Sequence, residues 1–132
     1  MRYLSLAAVA LLALSPSIAT AASWTPATAT SVEAGNNGRS TFTIQAYLTL
    51  PTQCHAARIR TATLSMSGHR SFVVEQMASS SPCAAALYKC TVVASFNLPV
   101  TQQFEVDSQD KKWEIHLAPE RPTPTQPMCR KG

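Results

Sequence analysis

The alternation of side chains between residues 41 and 50 constrains the fold of this chain more than any other feature of the sequence. Five apolar residues fall on one face of this segment: Phe42, Ile44, Ala46, Leu48 and Leu50. Successive side chains of a strand point to opposite faces, so strict alternation is typical of a strand with one buried face in an antiparallel sheet. Pro51 follows directly and ends the strand, because proline has no N–H for the hydrogen-bond ladder.

Weaker versions of this pattern recur along the chain, separated by turn signals such as Gly35-Asn36-Asn37-Gly38. Residues 58–66 alternate imperfectly, and a bulge near Arg60 and Thr61 would restore their register. The further predicted strands are 58–66, 72–77 and 88–98, followed by a hairpin that joins 104–106 to 113–117. The sequence therefore predicts an all-β fold, a small antiparallel β-sandwich of about six to seven strands that is immunoglobulin-like and stapled by disulfides.

The first residues have the three parts of a secretory signal peptide. Arg2 precedes an apolar run from Leu4 to Leu14, which is shorter than the roughly 20 residues that a membrane-spanning helix needs. Ala19-Thr20-Ala21 then provides a small-x-small cleavage site. We therefore expect a secreted or periplasmic protein with no membrane span after cleavage.

Four segments follow from these patterns. We predict a signal peptide over residues 1–21 and a sandwich core over 40–117. Residues 22–39 either add an edge strand to the core or stay loose. Residues 118–132 form a proline-rich C-terminal tail, which we expect to be extended and partly disordered.

Four cysteines lie beyond the signal peptide: Cys54, Cys83, Cys90 and Cys129. An even number in a small exported chain indicates a disulfide framework. Cys90 is in phase with the apolar face of its predicted strand, and Cys54 directly follows another strand, so a Cys54–Cys90 bridge is our first prediction. Cys83–Cys129 would then tie down the tail. The pairing of Cys54 with Cys83 and of Cys90 with Cys129 remains the alternative.

Charge and catalytic patterns exclude several functions. The formal net charge is +4 and the basic residues are scattered, whereas nucleic-acid binding requires a clustered basic face. Catalysis by a nucleophile needs a histidine base and an acid held together in space. His55, His69 and His116 lie in polar or turn contexts, and no Gly-x-Ser-x-Gly elbow is present. We predict no catalytic residues, no enzyme activity and no cofactor.

Cys54 and His55 form the best candidate for a metal site, because exported copper proteins use soft sulfur and nitrogen ligands. Their side chains would point to opposite sides of an extended chain, which argues against a shared metal. The further ligands that this hypothesis would need are His69, His116, Met66 or Met77. We favour a disulfide cysteine beside a surface histidine and predict no metal ligands.

The segment Leu50-Pro51-Thr52-Gln53-Cys54-His55 carries a resemblance that covers roughly residues 40–117. It resembles a motif of small exported bacterial immunoglobulin-like β-domains of unassigned function, in which a strand ends in Leu-Pro-Thr-x-Cys-His. A later strand of that group has the form Cys-x5-Phe and then Pro, as in Cys90, Phe96 and Pro99 here. The resemblance implies the sandwich and a Cys54–Cys90 bridge, and it implies no activity. Cys83, Cys129 and the tail depart from the pattern.

These observations favour an exported, non-enzymatic binding module with an unknown protein or peptide partner. A concrete form of this hypothesis is a peptidase inhibitor that uses a loop or a sheet edge. One alternative is an envelope structural or assembly protein whose tail docks elsewhere. The other alternative is the soft-metal protein built around His55.

Overall fold

The computed structural model describes residues 23–38, 41–62, 71–97 and 103–131, so the predicted signal peptide lies outside the described residues. The described part contains strands and irregular segments but no helix. The eight strands are β1 (Thr25–Pro26), β2 (Thr28–Asn36), β3 (Phe42–Leu50), β4 (Ala56–Thr61), β5 (Ser71–Met77), β6 (Tyr88–Phe96), β7 (Gln103–Asp107) and β8 (Lys112–His116).

One sheet has three antiparallel strands in the order β2-β3-β6. Its central strand is the segment with strict alternation, and all five of its apolar side chains are buried as predicted. On β6, Cys90 and Val92 face the same core. The order β2-β3-β6 matches the A-B-E strands of an immunoglobulin sheet.

Strand β2 is a nine-residue strand at the edge of this sheet, where the sequence suggested either an edge strand or a loose segment. The register shifts between Ala29 and Ser31, which marks a bulge. The bulge puts Ala29, Val32 and Ala34 on the buried face although their spacing is irregular. Because of this irregular spacing, the sequence of β2 does not show the alternation that is typical of a strand.

The second sheet has five strands, with β4, β5, β7 and β8 as its main members. Strands β4 and β5 are antiparallel, and their pairing from Ala56–Met77 to Thr61–Phe72 is unshifted. The predicted bulge near Arg60 and Thr61 is therefore wrong, because both residues keep the register of this pairing. Strands β7 and β8 form the predicted hairpin. Strand β5 pairs with β7 in parallel, and β1 pairs with the other end of β5.

The two sheets enclose one apolar core, so the predicted small, disulfide-stapled β-sandwich is confirmed. Its largest fully buried side chains include Phe42, Phe72 and Phe104. These rings meet in pairs, with centroids 5.8 Å apart for Phe42–Phe72 and 5.3 Å apart for Phe72–Phe104. Burying one such side chain contributes about 2–3 kcal/mol, so this cluster is a main source of stability.

The C-terminal residues 118–131, here called the strap, are ordered against the sandwich, and the expectation of a partly disordered tail is wrong. Ala118 pairs with Gly35 at the free edge of β2, and the Thr125 N–H donates to the Tyr47 hydroxyl at 3.3 Å. The strap then reaches the opposite edge of the sheet, where the Thr91 N–H donates to the Pro127 carbonyl at 2.7 Å.

The strap explains why polar side chains on the outer face of the three-stranded sheet are buried. Thr43 and Thr91 have no exposed surface and Gln45 is 2% exposed, although alternation places them away from the core. A Cβ atom on Gly35 would overlap the Glu120 carbonyl oxygen, which shows how closely the strap crosses this face. The sheet therefore has protein on both faces.

The disulfides are Cys54–Cys83 and Cys90–Cys129. All four predicted cysteines are bonded, but the first-choice pairing of Cys54 with Cys90 is wrong and the alternative is correct. Cys90 does face the core, as its phase predicted. Its partner comes from the strap, because Cys129 donates its N–H to the Thr91 carbonyl beside it, at 2.8 Å.

Candidate binding surfaces

Two loops meet at one end of the sandwich and are joined by a disulfide. Strand β3 ends there and β4 begins there, separated by the turn 51–55. Strand β5 also ends there and β6 begins there, separated by residues 78–87, here called the stapled loop. The Cys54–Cys83 bond connects the turn to the middle of this loop, with 6.2 Å between the two Cα atoms.

The stapled loop is irregular and exposed along most of its length. Leu87 is 78% exposed, which is the largest exposure of any big apolar side chain among the described residues. Local hydrogen bonds shape the loop: the Ala86 N–H donates to the Ala84 carbonyl at 2.9 Å, and the Ser81 N–H donates to the Ser79 hydroxyl at 3.1 Å. The loop therefore presents an apolar side chain beside a fixed bridge.

The turn 51–55 is held by side-chain contacts from Thr52. Its hydroxyl lies 2.8 Å from His55 Nδ1 and accepts the Cys54 N–H at 3.2 Å. Ser and Thr hydroxyls stabilise turns in this way by bonding backbone groups nearby. These hydrogen bonds restrain the turn that carries Cys54, and the disulfide links this turn to the stapled loop.

The structure does not assemble the metal site that the sequence analysis weighed. The Cys54 sulfur is bonded to Cys83, so it cannot act as a thiolate ligand. His55 lies in the stapled end, whereas His116 ends β8 at the opposite end of the sandwich. His69 and Met66 lie outside the described residues. Within those residues, no group of three or more His, Cys, Asp or Glu side chains is placed to hold a metal ion.

A second surface is an open groove of about 310 Å³ between β4 and β6. Its floor is apolar, because it includes the buried side chains of Ile59 and Val92. Trp24 and Arg58 lie on one side, where the guanidinium carbon stacks 4.1 Å from the ring centroid. Lys131, the last described residue of the strap, lies at the mouth of the groove.

Charges beside this groove are mostly positive. Arg58 and Arg60 share one carboxylate, with guanidinium nitrogens 2.9 Å and 2.7 Å from Glu75 Oε1. Burial alone would raise the pKa of Glu75, but the hydrogen bonds and charges of Arg60 and Arg58 outweigh burial and hold that pKa below its ordinary value. The cluster of Arg58, Arg60 and Glu75 therefore carries one excess positive charge, and of its three members Arg58 lines the groove.

Sequence reasoning missed the residues that define both surfaces. Leu87 stands out only as a large apolar side chain in a Ser- and Ala-rich stretch after Pro82-Cys83, a signal that was available but weak. Trp24 and Lys131 are distant in sequence and meet only because the strap returns to the edges of β6 and β4. No local sequence pattern predicts that these two residues line the same groove.

Two disulfides indicate a protein of an oxidising compartment. The described part of the chain holds no helix of the length and apolarity that crossing a membrane requires. Comparison of the chain with family models, with curated proteins and with solved structures gives no match.

Proposed function

We propose that this chain is an exported, non-enzymatic binding protein that presents the stapled loop to a protein partner. In its most concrete form, the loop enters the substrate cleft of a peptidase and inhibits it. The observation that carries the proposal is the exposure of Leu87, 78%, in a segment anchored by Cys54–Cys83.

A loop held on both sides has the physical properties that inhibition requires. Cys83 is anchored to the turn, and Tyr88 begins β6, which is paired with β3 along its whole length. Binding a restrained loop loses less conformational entropy than binding a free peptide, and so gives a tighter complex for the same contacts. Cleavage between these two anchors would leave both new ends attached to the sandwich.

The side chains of the loop indicate the class of peptidase. Three small residues, Ala84–Ala86, precede Leu87, and none of them carries charge or bulk. This sequence suits a peptidase that binds extended substrates with small side chains and accepts an apolar residue in its main specificity pocket. We therefore expect secreted peptidases of that specificity to be the targets.

The test is inhibition of a panel of such peptidases by the oxidised protein. An exposed apolar anchor of an interface contributes about 2–4 kcal/mol, so Leu87→Asp should weaken inhibition about 100-fold. Met128→Asp is the matched control, because Met128 is the other exposed large apolar side chain among the described residues, at 51%. Lack of inhibition across the panel, or equal inhibition by Leu87→Asp and the parent, would refute the proposal.

The two alternatives gain no support from the contacts described above. An assembly protein that docks through its tail would need a free strap. Both ends of the strap are instead hydrogen-bonded within the chain, Ala118 to Asn36 and Pro127 to Thr91. A soft-metal protein would need the Cys54 thiolate, which is in a disulfide.

A further inference from the structure

The two disulfides differ in how easily a small molecule in solution can reach them. Cys90 is fully buried and Cys129 is 8% exposed, so their bond is shielded from solvent. Cys54 and Cys83 are only half-buried and belong to the turn and the loop that meet at one end of the sandwich. Thiol–disulfide exchange requires a thiolate to reach one of the two sulfurs, so exposed bonds are the labile ones. Cys54–Cys83 is therefore the bond that is open to exchange.

A depression beside Cys54 gives a small thiol a place to bind. It has a volume of about 210 Å³, and Cys54 lines it whereas Cys83 does not. This volume is below the roughly 300–1,000 Å³ of pockets that bind drug-sized ligands, so the depression suits a smaller molecule. The uncharged part of its wall comes from the start of β4, the end of β5 and the stapled loop: Ala56, Met77, Ala78, Ser79 and Ser80.

The charge of this depression is positive. Arg130 and Lys131 complete the lining, and no carboxylate lines it. Both side chains are on exposed residues, and neither makes an ion pair within the described part of the chain. The backbone holds them in place, because the Ala57 N–H donates to the Arg130 carbonyl at 2.8 Å and the preceding residue is in the buried disulfide. A surface lined by charges of one sign concentrates ions of the opposite sign, so this depression favours an anion.

We infer that the depression binds a small anionic thiol, which exchanges into the Cys54–Cys83 bond and remains as a mixed disulfide on Cys54. The incoming thiolate forms a bond to the Cys54 sulfur, and the bond between Cys54 and Cys83 breaks. Its electron pair leaves with the Cys83 sulfur, which becomes a thiolate and takes a proton from water. One disulfide replaces another, so the step needs no oxidant. Exchange frees the stapled loop from the turn, and it does not depend on peptidase inhibition.

Two thiols of similar size and opposite charge test the site, mercaptoethanesulfonate and cysteamine. Each is mixed with the oxidised protein, the reaction is quenched with N-ethylmaleimide, and peptide mass spectrometry locates the adduct and the free thiols. Initial rates are divided by those of the same thiols with hydroxyethyl disulfide, a neutral compound, to correct for intrinsic reactivity. We expect the anionic thiol to react about tenfold faster after this correction, with its adduct on Cys54 and with Cys90–Cys129 intact. Added salt should reduce the preference, because salt screens exposed charges.

Charge reversal at the depression locates the binding. Lys131→Glu should lower the rate with mercaptoethanesulfonate about threefold, and Arg130→Glu/Lys131→Glu should make cysteamine the faster thiol. Lys112→Glu is the matched control, because Lys112 is an exposed lysine on β8, which does not line the depression, and both rates should stay unchanged. Circular dichroism checks that each variant folds.

Four results would overturn the inference. These are equal corrected rates for the two thiols, an adduct on Cys83 in place of Cys54, equal effects of Lys131→Glu and Lys112→Glu, or faster exchange at the buried bond. Preferred reaction of the anionic thiol at Cys54, in a protein that inhibits no peptidase, would support this inference and refute only the proposed function.

Discussion

The two disulfides close loops of similar length but hold very different parts of the molecule. Cys90 is fully buried and Cys129 is 8% exposed, and their bond fastens the strap to the core side of β6. Cys54 and Cys83 are only half-buried, and their bond fastens one surface loop to another. The sequence separations are 39 and 29 residues, so the chain-entropy model assigns each bond about 4 kcal/mol.

Equal entropic terms mean that any difference between the bonds comes from the folded state. The strap covers a polar face, and the side-chain amide of Gln45 is buried there without a hydrogen-bond partner among the described residues. An unsatisfied buried amide costs about 1–3 kcal/mol, so covering this face opposes folding locally. We conclude that Cys90–Cys129 holds the strap against the three-stranded sheet, whereas Cys54–Cys83 restrains an exposed loop.

The largest effect is expected from the double substitution Cys90→Ala/Cys129→Ala. It should lower the free energy of unfolding by about 5 kcal/mol, because it removes the cross-link and leaves a cavity in the core. Denaturant unfolding without reductant measures this loss. Hydrogen exchange should become much faster at the Thr91 amide, which donates to Pro127 in the strap. An unchanged Thr91 exchange rate would show that strap packing is sufficient without the bond.

Removing the other bond, with Cys54→Ala/Cys83→Ala, should cost less, about 4 kcal/mol, because neither sulfur is in the core and no core cavity adds to the loss of the cross-link. The same unfolding assay measures it, and Thr91 exchange serves as the control that should not change. We also expect peptidase inhibition to weaken, since the stapled loop loses its anchor. A stability loss as large as that of the first variant would contradict the distinction between the two bonds.

Gly35→Ala separates strap packing from disulfide chemistry. The new methyl group would overlap the Glu120 carbonyl oxygen, so the strap must shift, and we expect a loss of about 2 kcal/mol. Glu33→Ala is the control, because Glu33 is exposed two residues away on the same strand. Faster exchange of the Asn36 amide, which donates to Ala118, should accompany the loss only in Gly35→Ala.

The smallest effect concerns pH, to which neither disulfide contributes. The folded-state pKa of Glu75 is lowered, so its stabilising contribution is present above the unfolded value of about 4.3 and is lost as pH falls through the folded value. Glu75→Gln should therefore cost about 1 kcal/mol at neutral pH and progressively less in acid. Unfolding midpoints from pH 7 to pH 3 test this. A constant difference across that range would assign the effect to packing.

The sequence predicted the parts of the fold that depend on local alternation. Strand β3 and the β7–β8 hairpin were correct, because each buries one face and each is bounded by proline or turn residues. The export signal, the non-enzymatic character and the resemblance to exported β-domains remain predictions. The extent of strand β2 was not predicted, because its bulge at Ala29–Ser31 interrupts the alternation.

Features that depend on distant contacts could not be predicted. The parallel pairing of β5 with β7 and the return of the strap to β6 leave no trace in local periodicity. The disulfide error has the same origin. The phase of Cys90 correctly indicated a core position, but its partner depended on the path of the strap, which four prolines made look loose.

The position of Cys129 has a consequence for the order in which the protein matures. A chain that emerges from its N-terminus exposes Cys54, Cys83 and Cys90 before Cys129, which follows Cys90 by 39 residues. During that interval three thiols compete for one bond, and Cys90 can form a mistaken pair that must later be exchanged. Correct oxidation therefore waits for Cys129, and refolding of the reduced protein should depend on a disulfide isomerase or a thiol redox buffer.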